Sequence, residues 1–212
     1  ETFLTVKADN KEMTYGASAP SYTYTLSGAV QGDTAVTGTA SYSVTDNGTV
    51  ISNVSTADAG EYTLTPSGLT ANSNYTISYQ TGTLTINRAR TATTGSCASN
   101  LVYDGEEKTL ASGGAHVSYT NNKGTSAQNE TAYQVTVKAD DNYAFSDGST
   151  SKTLSCVIHR ANGYVTVDND KTVEYGTTST TFSVKTNHGG TLSVTDDSTA
   201  ATSSISGTTV TI

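Results

Sequence analysis

Apolar and polar residues alternate with period two along most of this chain, in short runs. Leu4, Val6 and Ala8 alternate with Thr5 and Lys7; Tyr22, Tyr24 and Leu26 with Thr23 and Thr25; and Tyr75, Ile77 and Tyr79 lead on to Leu84 and Ile86. The same pattern recurs at Tyr133, Val135 and Val137, at Leu154, Cys156 and Ile158, at Phe182 and Val184, at Leu192 and Val194, and at Val210 and Ile212. Period two puts successive side chains on opposite faces, so these runs predict half-buried strands. Gly, Asn, Asp and Ser bound each run and supply the turns. Apolar residues at helical spacing are missing, and at most one helical turn is predicted, over residues 126–129. The pattern as a whole predicts an all-β fold of many short strands, read as small β-sandwiches or small barrels with antiparallel sheets.

Composition sharpens this picture. The 212 residues hold 11 Lys plus Arg against 19 Asp plus Glu, a net charge of -8. Charged residues make up 14%, against about 25% in an average soluble protein. Thr and Ser together number 68, so hydroxyls carry most of the surface polarity. An acidic chain with scattered Lys has no phosphate-binding footprint, which excludes nucleic acid as the expected partner. No apolar run approaches the roughly 20 residues of a helical membrane span. Glu1 is followed by no basic segment and apolar stretch of the signal-peptide type, so the chain reads as a mature or excised piece.

Internal echoes divide the chain. Thr5-Val6-Lys7-Ala8-Asp9-Asn10-Lys11 leads to Tyr15-Gly16, and Thr166-Val167-Asp168-Asn169-Asp170-Lys171 leads to Tyr175-Gly176. Gly82-Thr83-Leu84-Thr85-Ile86 is echoed by residues 207–212, and Thr136-Val137-Lys138-Ala139-Asp140 repeats the chain start. Short polar connectors at 87–92 and 159–163 set expected boundaries at 1–89, 90–160 and 161–212.

The motifs carry a family resemblance. Leu4 to Asn10, Thr14-Tyr15-Gly16, Ser27-Gly28 with Gly32-Asp33-Thr34, and Asn74-Tyr75-Thr76-Ile77 leading to Gly82–Ile86 resemble MBG repeats of the YGX type, found in large bacterial surface proteins. Residues 93–160 resemble Ig-like repeats of such proteins, through Leu101 to Gly105, Asn121-Asn122-Lys123-Gly124-Thr125 and Ala144 to Ser149. Residues 163–212 resemble the first part of a bacterial Ig-like group 2 module, which normally continues for further strands. Truncation is the favoured reading of that short module; the alternative is that its uncovered edge accepts a strand from another copy, with the Thr2 to Ala8 segment as candidate donor.

The resemblance implies extracellular repeats and no catalytic residue, and no cofactor is expected. No nucleophile elbow, His-Glu-x-x-His pair or phosphate-cradling Gly loop occurs. Cys97 and Cys156 are the only cysteines, near the first and in the last strand of the middle module. Their even number and the extracellular context favour a structural disulfide over reactive thiols. His116, His159 and His188 stand alone, without zinc-site spacing. Asp168 and Asp170 are the favoured weak candidates for Ca²⁺, ahead of Asp140-Asp141-Asn142 and Asp196-Asp197, although Asp and Asn equally stabilise turns. A Lys7–Asn87 isopeptide bond is opposed by alternation, which turns Lys7 outward. Asn47, Asn53, Asn74 and Asn129 open sequons that a bacterial chain leaves unmodified. Asp58-Ala59-Gly60-Glu61-Tyr62 reads either as a tyrosine corner or as a plain turn before a strand with a buried Tyr.

Three functions stay open at this point. The first is a non-catalytic stalk or adhesin segment at the cell surface. The second is a module binding carbohydrate or host glycoprotein, and the third an Ig-like phage virion protein. A binding module should show coplanar exposed aromatics beside a groove, and a stalk mostly buried Tyr.

Overall fold

Leu4, Val6 and Ala8 are fully buried while Phe3 and Lys7 face out, as alternation requires of a strand with one covered face. The computed structural model describes residues 2–127, 132–167, 174, 176–186, 192–195 and 202–212. Within these the fold is all-β; one short 3-10 turn, Val54–Thr56, is the only helical element. Strands pair only within three groups: 2–87, 96–156 and 165–211.

The first group comprises β1 (Thr2–Ala8), β2 (Lys11–Thr14), β3 (Tyr24–Ser27), β4 (Val36–Thr37), β5 (Ser41–Asp46), β6 (Thr49–Val50), β7 (Gly60–Ser67), β8 (Thr70–Ala71), β9 (Tyr75–Gln80) and β10 (Gly82–Asn87). One sheet has the order β3-β1-β9 and the facing one β2-β10-β7-β5-β6, with β4-β8 as a small ribbon. Between the two large sheets lies a core that includes Ala8, Met13, Val44, Tyr62, Leu64, Leu84 and Ile86. Leu4, Ala35 and Tyr75 continue it at the other end.

The sheets are not purely antiparallel as the pattern predicts. β1 runs parallel to β9, and β2 runs parallel to β10. Both pairings share one register: each residue meets the one 73 positions on, Thr2 with Tyr75 and Lys11 with Leu84. The two pairings are therefore one ladder whose strands leave the first sheet together and enter the second. The Asn10 side chain bridges the crossing by accepting from the Thr83 N–H at 2.9 Å. Period-two alternation records which face is buried, not which neighbour runs alongside, so strand direction was invisible to it.

The second group comprises β11 (Ser96–Cys97), β12 (Lys108–Thr109), β13 (Ala111–Ser112), β14 (Val117–Thr120), β15 (Lys123–Gly124), β16 (Tyr133–Ala139) and β17 (Ser151–Cys156). β14-β16-β17 form the main antiparallel sheet, with ribbons β11-β13 and β12-β15. Asn122 stands in for a strand neighbour: its side chain accepts from the Ala111 N–H at 2.7 Å and donates to the Ala111 carbonyl at 2.8 Å. The repeated Thr-Val-Lys-Ala-Asp run lies on β1 and β16 with one burial alternation, Val6 and Ala8 matching Val137 and Ala139. In both copies the Asp N–H closes onto an antiparallel neighbour, at Thr23 and at His116.

β18 (Val165–Val167), β19 (Thr181–Thr186), β20 (Ser204–Ser206) and β21 (Thr209–Thr211) make the third group, in the order β18-β19-β21-β20. Leu192 and Val194, expected as a strand, lie in irregular chain. Ser126 and Ala127 are not helical, and the rest of that expected turn lies outside the described residues. β1 is held between β3 and β9, so Thr2 to Ala8 is not free to complete another copy's sheet. Among the described residues no helix is long and apolar enough to cross a membrane.

Candidate functional site

The first strand group and its connector are hydrogen-bonded to the 140–144 turn of the second. The meeting starts from Tyr62, buried on β7, whose hydroxyl donates 2.7 Å back to the Asp58 carbonyl. This is the tyrosine-corner geometry. It pins the Asp58–Gly60 turn, so the groups that turn presents are fixed in place. The Ala59 N–H donates to Asn142 Oδ1, and Asn142 Nδ2 donates to Asp58 Oδ1, both at 2.8 Å. An Asn side chain carries an acceptor and donors side by side, so it can match such a pair at both ends.

Asn142 is placed by its own turn, closed by the Tyr143 N–H donating to the Asp140 carbonyl at 2.9 Å. The connector is bonded along the same turn. Ala89 N–H donates to the Asn142 carbonyl at 3.0 Å, Ala144 N–H to the Ala89 carbonyl at 2.9 Å, and Ala92 N–H to the Ala144 carbonyl at 3.1 Å. Arg88 Nε donates to the Asp141 carbonyl at 2.8 Å. Three rings gather there: Tyr15 meets Tyr143 edge-on at 5.6 Å, and His116 stacks on Tyr143 at 3.6 Å. A hydrogen bond of this kind contributes about 1 kcal/mol net, so the set holds the two groups together by several. Replacing Tyr62 with Phe removes the hydroxyl alone. We expect a loss of about 1.5 kcal/mol in urea unfolding of the first group. Asn142 amide signals should shift in the same variant, since the turn it docks on loosens.

The other candidates of the sequence fall elsewhere. Cys97 and Cys156 are joined, with Cα atoms 5.4 Å apart. His159 lies in a bridge to Val102, its N–H donating to the Leu101 carbonyl at 2.7 Å. Both oxygens of Asn142 accept N–H groups of the first strand group and its connector, so the 140–142 turn serves docking. Asp168, Asp170, Asp196, Asp197, His188 and Asn129 lie outside the described residues. Among the described residues no three His, Cys, Asp or Glu are grouped as metal ligands. Lys7 is exposed on the first sheet, whereas Asn87 ends β10 in the other and donates to Glu12 at 3.3 Å.

The tyrosines are mostly structural. Tyr75 donates to Asp33 at 2.9 Å, Tyr79 to the Leu69 carbonyl at 3.1 Å, and Tyr119 to the Thr94 carbonyl at 2.7 Å. Tyr22 and Tyr42 sit beside a groove, but their planes are tilted by 49°. That is not the flat platform a stacked sugar needs.

Carboxylates hold the turns. Thr23 and Thr25 donate to Asp9 at 2.6 and 2.7 Å, which keeps its carboxyl below the usual range. Ser149, then Lys152, do the same for Asp147. A depressed folded pKa gives stability that is whole above the ordinary value of 3.8 and is lost as pH falls through the lowered one. Stability of the first group should therefore decline with acid below that value, and Asp9→Asn should flatten the decline. An unchanged acid limb in the variant would assign it to other carboxylates.

Sequence reasoning missed Tyr15, Arg88 and Arg90 at this junction. One signal was available, since the chain has three Arg and two lie in the connector. The family model of the MBG domain, YGX type, matches residues 4–85, the first strand group. That family is a repeat module, consistent with a surface-protein repeat, and not a known catalytic family. No curated protein and no solved structure matches the chain.

Proposed function

We propose that this chain is a non-catalytic spacer of an extracellular bacterial surface protein, a stalk or adhesin segment. Its modules span 1–89, 90–160 and 161–212, the first of MBG type. The observation that carries the reading is the bonded connector: Arg88, Ala89 and Ala92 are tied to the 141–144 turn, so the first two modules meet without a free hinge. A spacer needs such a joint, because a flexible one lets the held head collapse onto its base. The disulfide fits an oxidising, extracellular setting. Tied Tyr hydroxyls and tilted ring planes favour the spacer over a sugar-stacking module.

The test is residual dipolar coupling on the full chain. One alignment tensor is expected to fit amides of both 2–87 and 96–156. Asn142→Ala combined with Arg88→Ala should split it into two. Two independent tensors in the unaltered protein would sink the spacer reading.

A further inference from the structure

We propose that the cleft between the first two strand groups binds a carboxylate-bearing, polyhydroxylated ligand, of which a uronic-acid unit of an acidic glycan is the type. This goes beyond the spacer reading and does not depend on it. The cleft has a volume of about 620 Å³, and Glu12, Thr14, Asn87, Arg88, Arg90 and Gly148 line it. Two of the chain's three arginines line this one space, in a protein of net charge -8. Among the described residues neither has a carboxylate within ion-pair distance; the ion pairs there are Lys108–Asp104, Lys123–Glu107 and Lys152–Asp147.

One guanidinium group is held before any ligand arrives, and the other lies beside a closed turn. Arg88 is anchored through Nε to the Asp141 carbonyl, which leaves its two terminal nitrogens to donate. Arg90 lies over the 145–148 turn: a Cβ added at Gly148 would sit 3.3–3.6 Å from three of its guanidinium atoms. That turn is closed by the Gly148 N–H donating to the Phe145 carbonyl at 2.8 Å. Planar guanidinium forks suit the two oxygens of a carboxylate. The same cleft carries other chemistry. Glu12 accepts from the Asn87 amide and keeps acceptor capacity, and Thr14 offers a hydroxyl. A fully anionic ligand would be repelled by Glu12, while one with hydroxyls beside its carboxylate meets a partner for each group. A uronic-acid unit has that arrangement.

The experiment maps amide shifts of the full chain during titration with digalacturonate, a neutral digalactoside, and sodium sulfate at matched ionic strength. Saturable shifts at Asn87, Ala144 and Gly148 are expected with digalacturonate alone. Arg90→Ala should weaken binding about tenfold or more, as loss of a charge-assisted pair does. Arg90 makes no hydrogen bond among the described residues, so that variant should keep the Asn142 signals of the intact junction. Arg88→Lys keeps the charge without the fork and should also weaken binding. Rising salt should weaken it too, since both groups are exposed. Any of four results overturns the proposal: no shifts at millimolar digalacturonate, equal shifts with sulfate, equal shifts with the neutral sugar, or undiminished affinity in Arg90→Ala.

Discussion

Reducing the Cys97–Cys156 bond is expected to lower the stability of the second strand group by about 4 kcal/mol. The bond joins residues 59 apart and so closes nearly the whole group in the unfolded state. In the loop-entropy picture, opening a ring of that size restores about 4 kcal/mol of conformational freedom to the unfolded chain. The folded side matters as well. Cys156 is buried beside Leu110, Ala111, Val135 and Ile158, and Cys97 packs against the same cluster from the two-residue strand β11. A strand so short has few ladder bonds of its own, and without the bridge little else holds the chain's first pass onto β17. Denaturant unfolding with and without reductant, and of a Cys97→Ala/Cys156→Ala variant, measures the effect. The transition of the first strand group, followed at Tyr62, should move less, because that group loses only the bonds of the junction. If the second group's midpoint does not move, the bond constrains nothing there.

Gly82→Ala should cost the first strand group about 3 kcal/mol, a fall in Tm on the order of 15 °C for a unit of this size. Gly82 opens β10 where the parallel ladder passes between sheets. A Cβ there would lie 2.4 Å from the Ala8 carbonyl oxygen and 3.0 Å from its carbon. These atoms belong to the backbone of a fully buried residue, so no side chain can swing aside. Relief needs β1 and β10 to separate, which opens the ladder at its crossing. Gly16→Ala is the matching control. It has open space around its Cβ position but a φ of +79°, so it should cost only about 1 kcal/mol of backbone strain. Thermal unfolding of both variants decides the matter: if Gly82→Ala is as mild as Gly16→Ala, the crossing is looser than its geometry states.

What could be read in the sequence followed from burial. Leu4, Val6 and Ala8, and likewise Val135 and Val137, alternate because one face of each strand is covered, and period two reports that directly. The Asp58–Tyr62 motif was legible because a tyrosine corner is local, its hydrogen bond spanning four residues. The cysteine bridge could be anticipated because only one pairing exists. Non-local partners were not legible. Asn142 meets Ala59 across 83 positions, and an Asn in an Asp-Asp-Asn run signals a turn whether or not it docks on anything. Pro66 is buried within β7, a residue type that a central strand rarely carries. The ladder to β10 ends at Leu64, so the missing N–H of Pro66 interrupts nothing on that side. Leu192 and Val194 show the reverse failure: alternation over so few residues arises by chance in a chain this rich in Ser and Thr.

The parallel ladder of the first strand group also settles how it meets mechanical load. β1 begins at Thr2 and β10 ends at Asn87, at opposite ends of two strands running the same way. Tension between residues 2 and 87 therefore slides one strand along the other rather than peeling them apart. Every rung from Thr2–Tyr75 to Thr14–Asn87 shares the force at once, and rupture requires many hydrogen bonds to fail together. The last rung lies beside the bonded connector, so tension arriving through the next strand group enters the ladder at that rung.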